Sequence, residues 1–320
     1  TGVRELMELY KQTLDYFMGL QVETEHINDE IHIQQDINAF RSSLVYDCIE
    51  RAMDLVEGGS VYSADGGPTA GTISAGDSLA ALDEIVFNQK LLTMEQVLHA
   101  MSTNYEDMET VPAGPEIRAI LLNKAPKFGN DDERADKWVV ELEDYIGSSY
   151  RYKYRSSKYG KGPVPCCYSY SQSPVTGNIA FGKSIGATPD GRKAGQPVNN
   201  GISPANGSEK KGATAACNSV MKLPSIWFQK GAIFNMRLSK GALDTDENKE
   251  KVIAMIKVLF ENYGQQIQFN VVDNKVFREA MEHPDEYKDL MVRVSGYSAL
   301  FTSLSPECQM DVINRAELEL

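Results

Sequence analysis

The sequence offers chemistry in a few places, and the most distinctive is a glycine, Gly296, a short way before the C-terminus. Leu290, Val292 and Val294 alternate with Met291, Arg293 and Ser295, which is the period of a strand. Gly296 then interrupts it, because a residue without Cβ weakens a ladder and permits a tight turn. Tyr297 and Phe301 follow, so the turn is expected to tuck into the core. Glycine-rich runs at 58–71 and at Gly186 to Gly191 suggest a phosphate cradle, since helix N-termini favour anions. Neither continues into the Lys-Ser/Thr pair of a P-loop. Residues 145–161 interleave tyrosines with Arg151, Lys153, Arg155, Lys158 and Lys161. That pattern suits stacking and phosphate contacts on a nucleic acid, or simply a helix end with a basic last turn. Cys166 and Cys167 are adjacent. In a strand neighbouring side chains point apart, so the pair reads as structural. His26, His32, His99 and His283 are scattered without metal-ligand spacing, and no zinc site is expected.

Composition narrows these options. The chain has 320 residues, an apolar fraction of 42% and a net charge of -13. The pI near 4.9 argues against a general nucleic-acid binder, and the mean hydropathy of -0.35 is ordinary for a globular protein. No apolar run is long enough for a membrane span, and no short apolar core follows a basic start. The five cysteines lack CxxC spacing and suit a reducing cytoplasm. Absence of an initial methionine suggests processing, a split gene or a fragment.

The positioning elements read as follows. Val3, Leu6, Tyr10, Leu14 and Phe17 give one face of a helix over 3–20, before a polar, acidic stretch at 21–38. A second helix is expected from about Phe40 to Val56, with Cys48 filling core space on its apolar side. Asp77 or Ser78 is expected to cap a helix through Phe87. Thr93 and Gln96 form a capping box before a helix at 94–103. Further helices are expected after Pro115, from Asp131 to Tyr145, and from Asp246 to Tyr263, stopped by Gly264. Strands are expected at Ala232–Leu238 and Gln266–Asp273, then a short helix to His283 and the strand into Gly296. Strand–helix alternation implies parallel pairing in an α/β architecture.

Several word-like segments occur in order. Arg293-Val294-Ser295-Gly296-Tyr297-Ser298 closely resembles the radical-bearing loop of the glycyl radical enzymes. Phe181 to Gly195, with Thr188-Pro189-Asp190-Gly191-Arg192, then Gly201-Ile202-Ser203-Pro204 and Gly212 to Val220, resemble the diol-dehydratase branch, especially glycerol dehydratase. Residues 58–87 and 125–131 join the resemblance. Glycine fits the chemistry: loss of an α-hydrogen leaves a carbon radical delocalised over the flanking amide nitrogen and carbonyl, and a Cβ would crowd that planar centre. Shielding such a radical from oxygen and water leads to the expectation of a buried loop.

The resemblance implies part of a ten-stranded α/β barrel with surrounding helices. Residues 1–175 would form a mainly helical, barrel-flanking portion and 176–320 the radical domain. It implies that Gly296 carries the radical, with Arg293, Val294, Ser295 and Tyr297 as the loop recognised by an activase. That activase would be a separate enzyme using S-adenosylmethionine and an iron-sulfur cluster; the chain itself would bind no cofactor or metal. Ser173 and Thr176, read as a strand Ser173-Pro174-Val175-Thr176, would line the substrate pocket. Ser173 stands where the glycerol enzyme has tyrosine, which makes glycerol doubtful as the substrate. Arg237 would suggest an anionic substrate, but reads more readily as a surface arginine. The family's Gly-Cys-Val-Glu loop, which supplies a thiyl radical and a base, is absent from this sequence. The chain is therefore expected to be the C-terminal part of a cytoplasmic radical lyase or dehydratase. The implied partners are an upstream cysteine-bearing half, a small-molecule substrate and a second copy in a homodimer, without nucleic acid or membrane. Arylacetate decarboxylation, formate acetyl transfer and a non-catalytic radical-carrying spare part remain as alternatives.

Overall fold

The computed structural model describes residues 2–63, 66–154, 168–315 and 317–318. Cys166, Cys167 and the basic stretch beyond Tyr154 lie outside the described residues. Helix α1 (Val3–Gln35) runs well past the expected 3–20. Nothing between Leu20 and Gln35 is a glycine or proline, and its glutamates and glutamines are good helix formers. Its buried face is Val3, Met7, Met18 and Val22, rotated from the expected one; Leu6, Tyr10 and Phe17 face solvent.

The expected helix at 40–56 is instead a single short turn, α2 (Ala39–Ser43). The Asp54 carboxylate explains the stop. It accepts hydrogen bonds from Ser42 Oγ (2.7 Å), Asn38 N (3.0 Å) and Val56 N (3.1 Å), offering the backbone an alternative to helix. Asp47 and Ala52 take positive φ within this stretch. Cys48 is buried there as core filler.

Strand β1 (Gly66–Pro68) leads into α3 (Thr72–Ala81), which continues as a π-helical stretch, Leu82–Asn88. Helix α3 starts at Thr72, so Asp77 sits inside it, fully buried, and caps nothing on its own helix. Its Oδ1 accepts the Phe128 N–H at 2.7 Å instead. Next come α4 (Met94–Ser102), with the Thr93/Gln96 capping box formed as expected, and α5 (Gly114–Asn123). Helix α6 (Glu133–Tyr152) is capped by Asp132 and packs tightly on α3. A Cβ on Gly76 would lie 2.4 Å from Val139 Cγ2, so the two helices approach as only glycine allows.

The second half contains β2 (Ser169–Ser171), α7 (Gly177–Ser184), α8 (Gly212–Met221), β3 (Asn235–Leu238), α9 (Asp246–Glu261), β4 (Gln268–Asn270) and α10 (Asn274–Glu282). It closes with β5 (Met291–Arg293), β6 (Ser298–Leu300), α11 (Pro306–Ile313) and β7 (Glu317–Leu318). Strands β4, β3 and β7 form a parallel sheet in that order, β1 pairs with β2 in parallel, and β5 and β6 form an antiparallel hairpin. The parallel pairing expected from strand–helix alternation is present. A closed ten-stranded barrel is not: among the described residues the strands are short and fall into separate small sheets.

Arg237 is not a surface residue. It is 1% exposed on β3. It donates to Asn274 Oδ1 (3.0 Å) and to the carbonyls of Ile313 and Arg315 (both 3.1 Å), and pairs with Glu317. Those carbonyls close the C-terminal end of α11, where a cation is favourable.

Burial pushes the Asp77 carboxyl up to about 7, against the pull of the Lys127 ammonium and the Phe128 N–H. Asp190 and Asp136 push the same way as burial. An acid whose pKa is higher folded than unfolded holds its proton more tightly when folded. Stability is therefore lost as pH rises from the ordinary carboxylate range to about 7. Asp77→Asn keeps an acceptor for Phe128 and removes the ionisation. Its melting temperature is expected to gain a few °C on the parent's between pH ~4 and ~8; thermal scans across that range check this.

Candidate functional site around Gly296

The β5/β6 hairpin is small, with three paired positions: Met291 with Leu300, Val292 with Ala299, and Arg293 with Ser298. Val292, Val294 and Phe301 are buried beneath it, packed with Phe277, Val312 and Ile313. Ser295 and Gly296 form its tip. Gly296 takes φ +79°, the left-handed region that glycine enters without strain. Val294 N–H donates to Tyr297 O at 2.9 Å.

The tip is held mostly by side chains from other elements. Asn270, at the end of β4, accepts the Arg293 N–H (2.9 Å) and donates to the Arg293 carbonyl (2.8 Å), imitating a neighbouring strand. Arg315, just after α11, donates to the carbonyls of Arg293 (3.2 Å) and Val294 (2.7 Å) and pairs with Asp311 at 3.2 Å. Ser295 Oγ donates to Asn200 Oδ1 at 2.8 Å, and the Gly296 N–H donates to Gln268 Oε1 at 3.1 Å. Gln268 in turn donates to Asn235, Asn235 to Asn200 (3.3 Å), Asn200 to Asn178 (3.2 Å), and Asn178 to Asp311 (3.1 Å). The chain of amides thus runs from the tip of the hairpin back to the ion pair behind it. All its members are buried. Glu209 adds to the electrostatics near Arg315: burial pushes its carboxyl up to about 7, against two backbone hydrogen bonds and the Arg315 charge.

Ile233, just before β3, is the apolar wall. A Cβ on Gly296 would stand 3.0 Å from Ile233 Cδ1. The Asn200–Gly201 turn is pressed against the same residue. Ile202 N–H donates to Ile233 O at 2.9 Å, and a Cβ on Gly201 would fall 2.2 Å from that oxygen. Ser203 Oγ accepts the Asn235 N–H at 2.8 Å. The 201–203 segment therefore builds the floor under the hairpin.

Of the expected site residues, Val294 and Ser295 face inward, 2% exposed each, while Arg293 is half-buried and bonds Ser298 Oγ at 3.0 Å. Gly296 and Tyr297 are exposed, so the expectation of a buried loop holds for one side of the tip only. The inner side is packed because Val294 and Ser295 point there; the outer side carries Gly296 and Tyr297 and is open in this chain. Ser173 to Thr176 is not a strand. Pro174 lacks an N–H for a ladder and Val175 takes φ +57°, so the chain turns and Thr176 precedes α7. Ser173 and Thr176 are half-buried. Their loop is tied to the hairpin through Asn200, which donates to Val175 O at 3.2 Å.

Asn200, Ile233, Gln268, Asn270 and Arg315 were not singled out from sequence. One signal was available: Gln268 and Asn270 alternate with Ile267, Phe269 and Val271, so two amides share one strand face. The β3–β4 register adds Asn235 directly opposite Gln268.

Comparison with known proteins places this geometry. The model of the pyruvate formate lyase-like family matches residues 2–181, and that of the glycine radical family matches residues 198–302. The probable dehydratase YbiW of Escherichia coli (strain K12) is 36% identical over 98% of this chain and 38% of its own length. The trans-4-hydroxy-L-proline dehydratase of Clostridioides difficile is 34% identical over 98% of this chain and 38% of its own length. The glycerol-bound B12-independent glycerol dehydratase of Clostridium butyricum superposes with a TM-score of 0.90 at 34% identity, covering 100% of this chain and 39% of that one. The chain spans about two fifths of the length of these relatives.

Two substitutions test the geometry itself. Gly296→Ala forces an L-residue into φ +79° and against Ile233; it is expected to cost about 1–2 kcal/mol, read as a lower melting temperature. Asn270→Ala strips two partners from Arg293. It is expected to cost about 1–3 kcal/mol and to speed deuterium exchange at the Arg293 amide.

Proposed function

The chain belongs to the pyruvate formate lyase-like family of glycyl radical enzymes, and on that premise we propose that it is the radical-storing part of a radical lyase of dehydratase type, with Gly296 as the radical site. The observation that carries the reading is a glycine inside the matched radical segment, at the tip of a hairpin whose backbone is gripped by buried side chains. Of the loop residues Arg293, Val294, Ser295 and Tyr297, the exposed Tyr297 and half-buried Arg293 form the surface offered to an activating enzyme, while Val294 and Ser295 hold the loop from inside. That enzyme, with its iron-sulfur cluster and S-adenosylmethionine, supplies the hydrogen-abstracting power.

Homolysis of one Gly296 Cα–H bond leaves an unpaired electron on a carbon between an amide nitrogen and a carbonyl. The chain's own residues hold the peptide on the amide side of that carbon, where Gln268 accepts the Gly296 N–H, and Arg315 holds the carbonyls of Arg293 and Val294 in the two peptides before it. Catalysis then needs a cysteine carried by another part of the enzyme. Its S–H hydrogen passes to Gly296, the thiyl radical takes hydrogen from the substrate, and a neighbouring group leaves with a proton. The product radical takes the hydrogen back from the cysteine, which regains the hydrogen held on Gly296 or starts the next turnover as thiyl. The relatives named as dehydratases favour water as that group. Thr176 offers a hydroxyl to a hydroxylated substrate, with Ser173 three residues before it in the same turn. The cysteine-bearing part and a second copy would cover the exposed apolar residues of α1 and the following turn, among them Leu9, Phe17, Phe40 and Leu44. No helix of the described residues is long and apolar enough to cross a membrane.

Anaerobic electron paramagnetic resonance after treatment with a radical S-adenosylmethionine activase tests the proposal. The expected result is a doublet that Gly296→Ala abolishes, with backbone cleavage at Gly296 on exposure to air, read by mass. No doublet with a competent activase, with or without the cysteine-bearing part, would overturn it.

A further inference from the structure

Resting on that radical reading, we propose that Gln268 is a positioning residue for the Gly296 radical: its side-chain carbonyl grips the Gly296 N–H and fixes the peptide plane next to the α-carbon. The contact is 3.1 Å, and Gln268 is 5% exposed. Its direction is enforced from several sides. The Gln268 backbone is locked in the β3–β4 register opposite Asn235, with its N–H on Phe234 O at 2.9 Å. Its Nε2 donates to Asn235 Oδ1, and Asn235 donates onward to Asn200 at 3.3 Å. Turning the amide over would set two donors, Nε2 and the Gly296 N–H, against each other and leave Asn235 Oδ1 unpaired, which is costly in a buried site.

The position matters electronically. An unpaired electron on Gly296 Cα gains stability from the amide nitrogen when the nitrogen lone pair lies parallel to the half-filled orbital. A hydrogen bond accepted from that N–H draws its proton away and makes the nitrogen a better donor. The resting φ of +79° sets the amide plane well out of the N–Cα–C plane. Overlap therefore requires rotation, and with the amide pinned by Gln268 the rotation must occur about the bonds of the α-carbon while the amide stays in place.

The test compares the parent chain, Gln268→Met and Gln268→Glu, activated without oxygen. Methionine keeps much of the volume and lacks the carbonyl acceptor; glutamate keeps an acceptor oxygen. The readouts are the hyperfine coupling of the exchangeable Gly296 amide proton, from spectra in water and deuterated water, and the anaerobic lifetime of the doublet. Gln268→Met is expected to shift the coupling and shorten the lifetime about five- to tenfold, the factor one ordinary hydrogen bond is worth. Gln268→Glu, which keeps the acceptor for Gly296 but loses the donor to Asn235 Oδ1, is expected to bring the coupling and lifetime back toward the parent's at a lower radical yield. A side chain acting only through folding would lower the yield of radical and leave the coupling alone. Parent-like coupling and lifetime in Gln268→Met would overturn the proposal. Should that variant not fold, Asn235→Ala releases the Gln268 amide without touching Gly296, and unchanged coupling there overturns it equally. A parent that gives no doublet sinks the radical reading itself, an outcome distinct from a parent doublet that these variants leave unaltered.

Discussion

The buried ion pair between Asp311 and Arg315 is the interaction on which the arrangement around Gly296 depends. Both residues are within a few per cent of full burial, 5% and 7% exposed, and they sit one helical turn apart at the end of α11. A buried pair contributes only when its remaining donors and acceptors are also met, because two charges have been taken out of water. Here they are met by the site. Arg315 places its other N–H groups on the carbonyls of Arg293 and Val294, and Asp311 accepts from Asn178 and Asn206. Satisfying the pair and holding the hairpin are thus the same set of bonds. Arg237 secures the arrangement from behind by holding the Ile313 and Arg315 carbonyls, which keeps the end of α11 facing the tip.

This explains how so short a hairpin can be placed with definition. Two strands of three residues have little stability of their own. The apolar residues beneath, Val292, Val294 and Phe301, press the hairpin onto its cluster but leave it free to slide. Asn270 removes that freedom, since its two bonds to one residue are satisfied in a single register.

Much of this was legible in the sequence, and the failures have a common cause. The Thr93/Gln96 box, the helices after Pro115 and Asp246, and the strands at 235–238, 268–270 and 291–293 follow from local capping and periodicity. The misreadings fall where a buried polar side chain overrides local preference. Asp54 ends the helix expected through 56 by capturing backbone and hydroxyl donors. Asp77 looks like a cap and instead reaches across to Phe128. Arg237 looks like a surface charge and is buried as deeply as its neighbour Leu238 on β3, because its partners lie some 40 to 80 residues later in the chain. The site splits along the same line. Gly296 and its neighbours stand in one contiguous run, whereas Asn200, Gln268 and Arg315 meet only once β3, β4 and α11 are assembled, and no short-range pattern joins them.

Two independent constraints select glycine at the tip. One is conformational: φ of +79° and Ile233 Cδ1 only 3.0 Å from where a Cβ would stand. The other, in the proposed chemistry, is the need for an α-carbon that can flatten. They differ in what they ask of the surroundings. A turn glycine needs only room, and an apolar pocket would provide that room at least as well as amides do. Orienting a peptide plane needs directional partners, since dispersion contacts change little as a flat group rotates against them. The cradle of Gln268, Asn235, Asn200 and Asn270 is directional throughout, and burying so many amides is unfavourable unless every one is paired. A turn alone does not require that cost, and in the proposed chemistry it fits a site in which the angle of one peptide governs where an electron can spread.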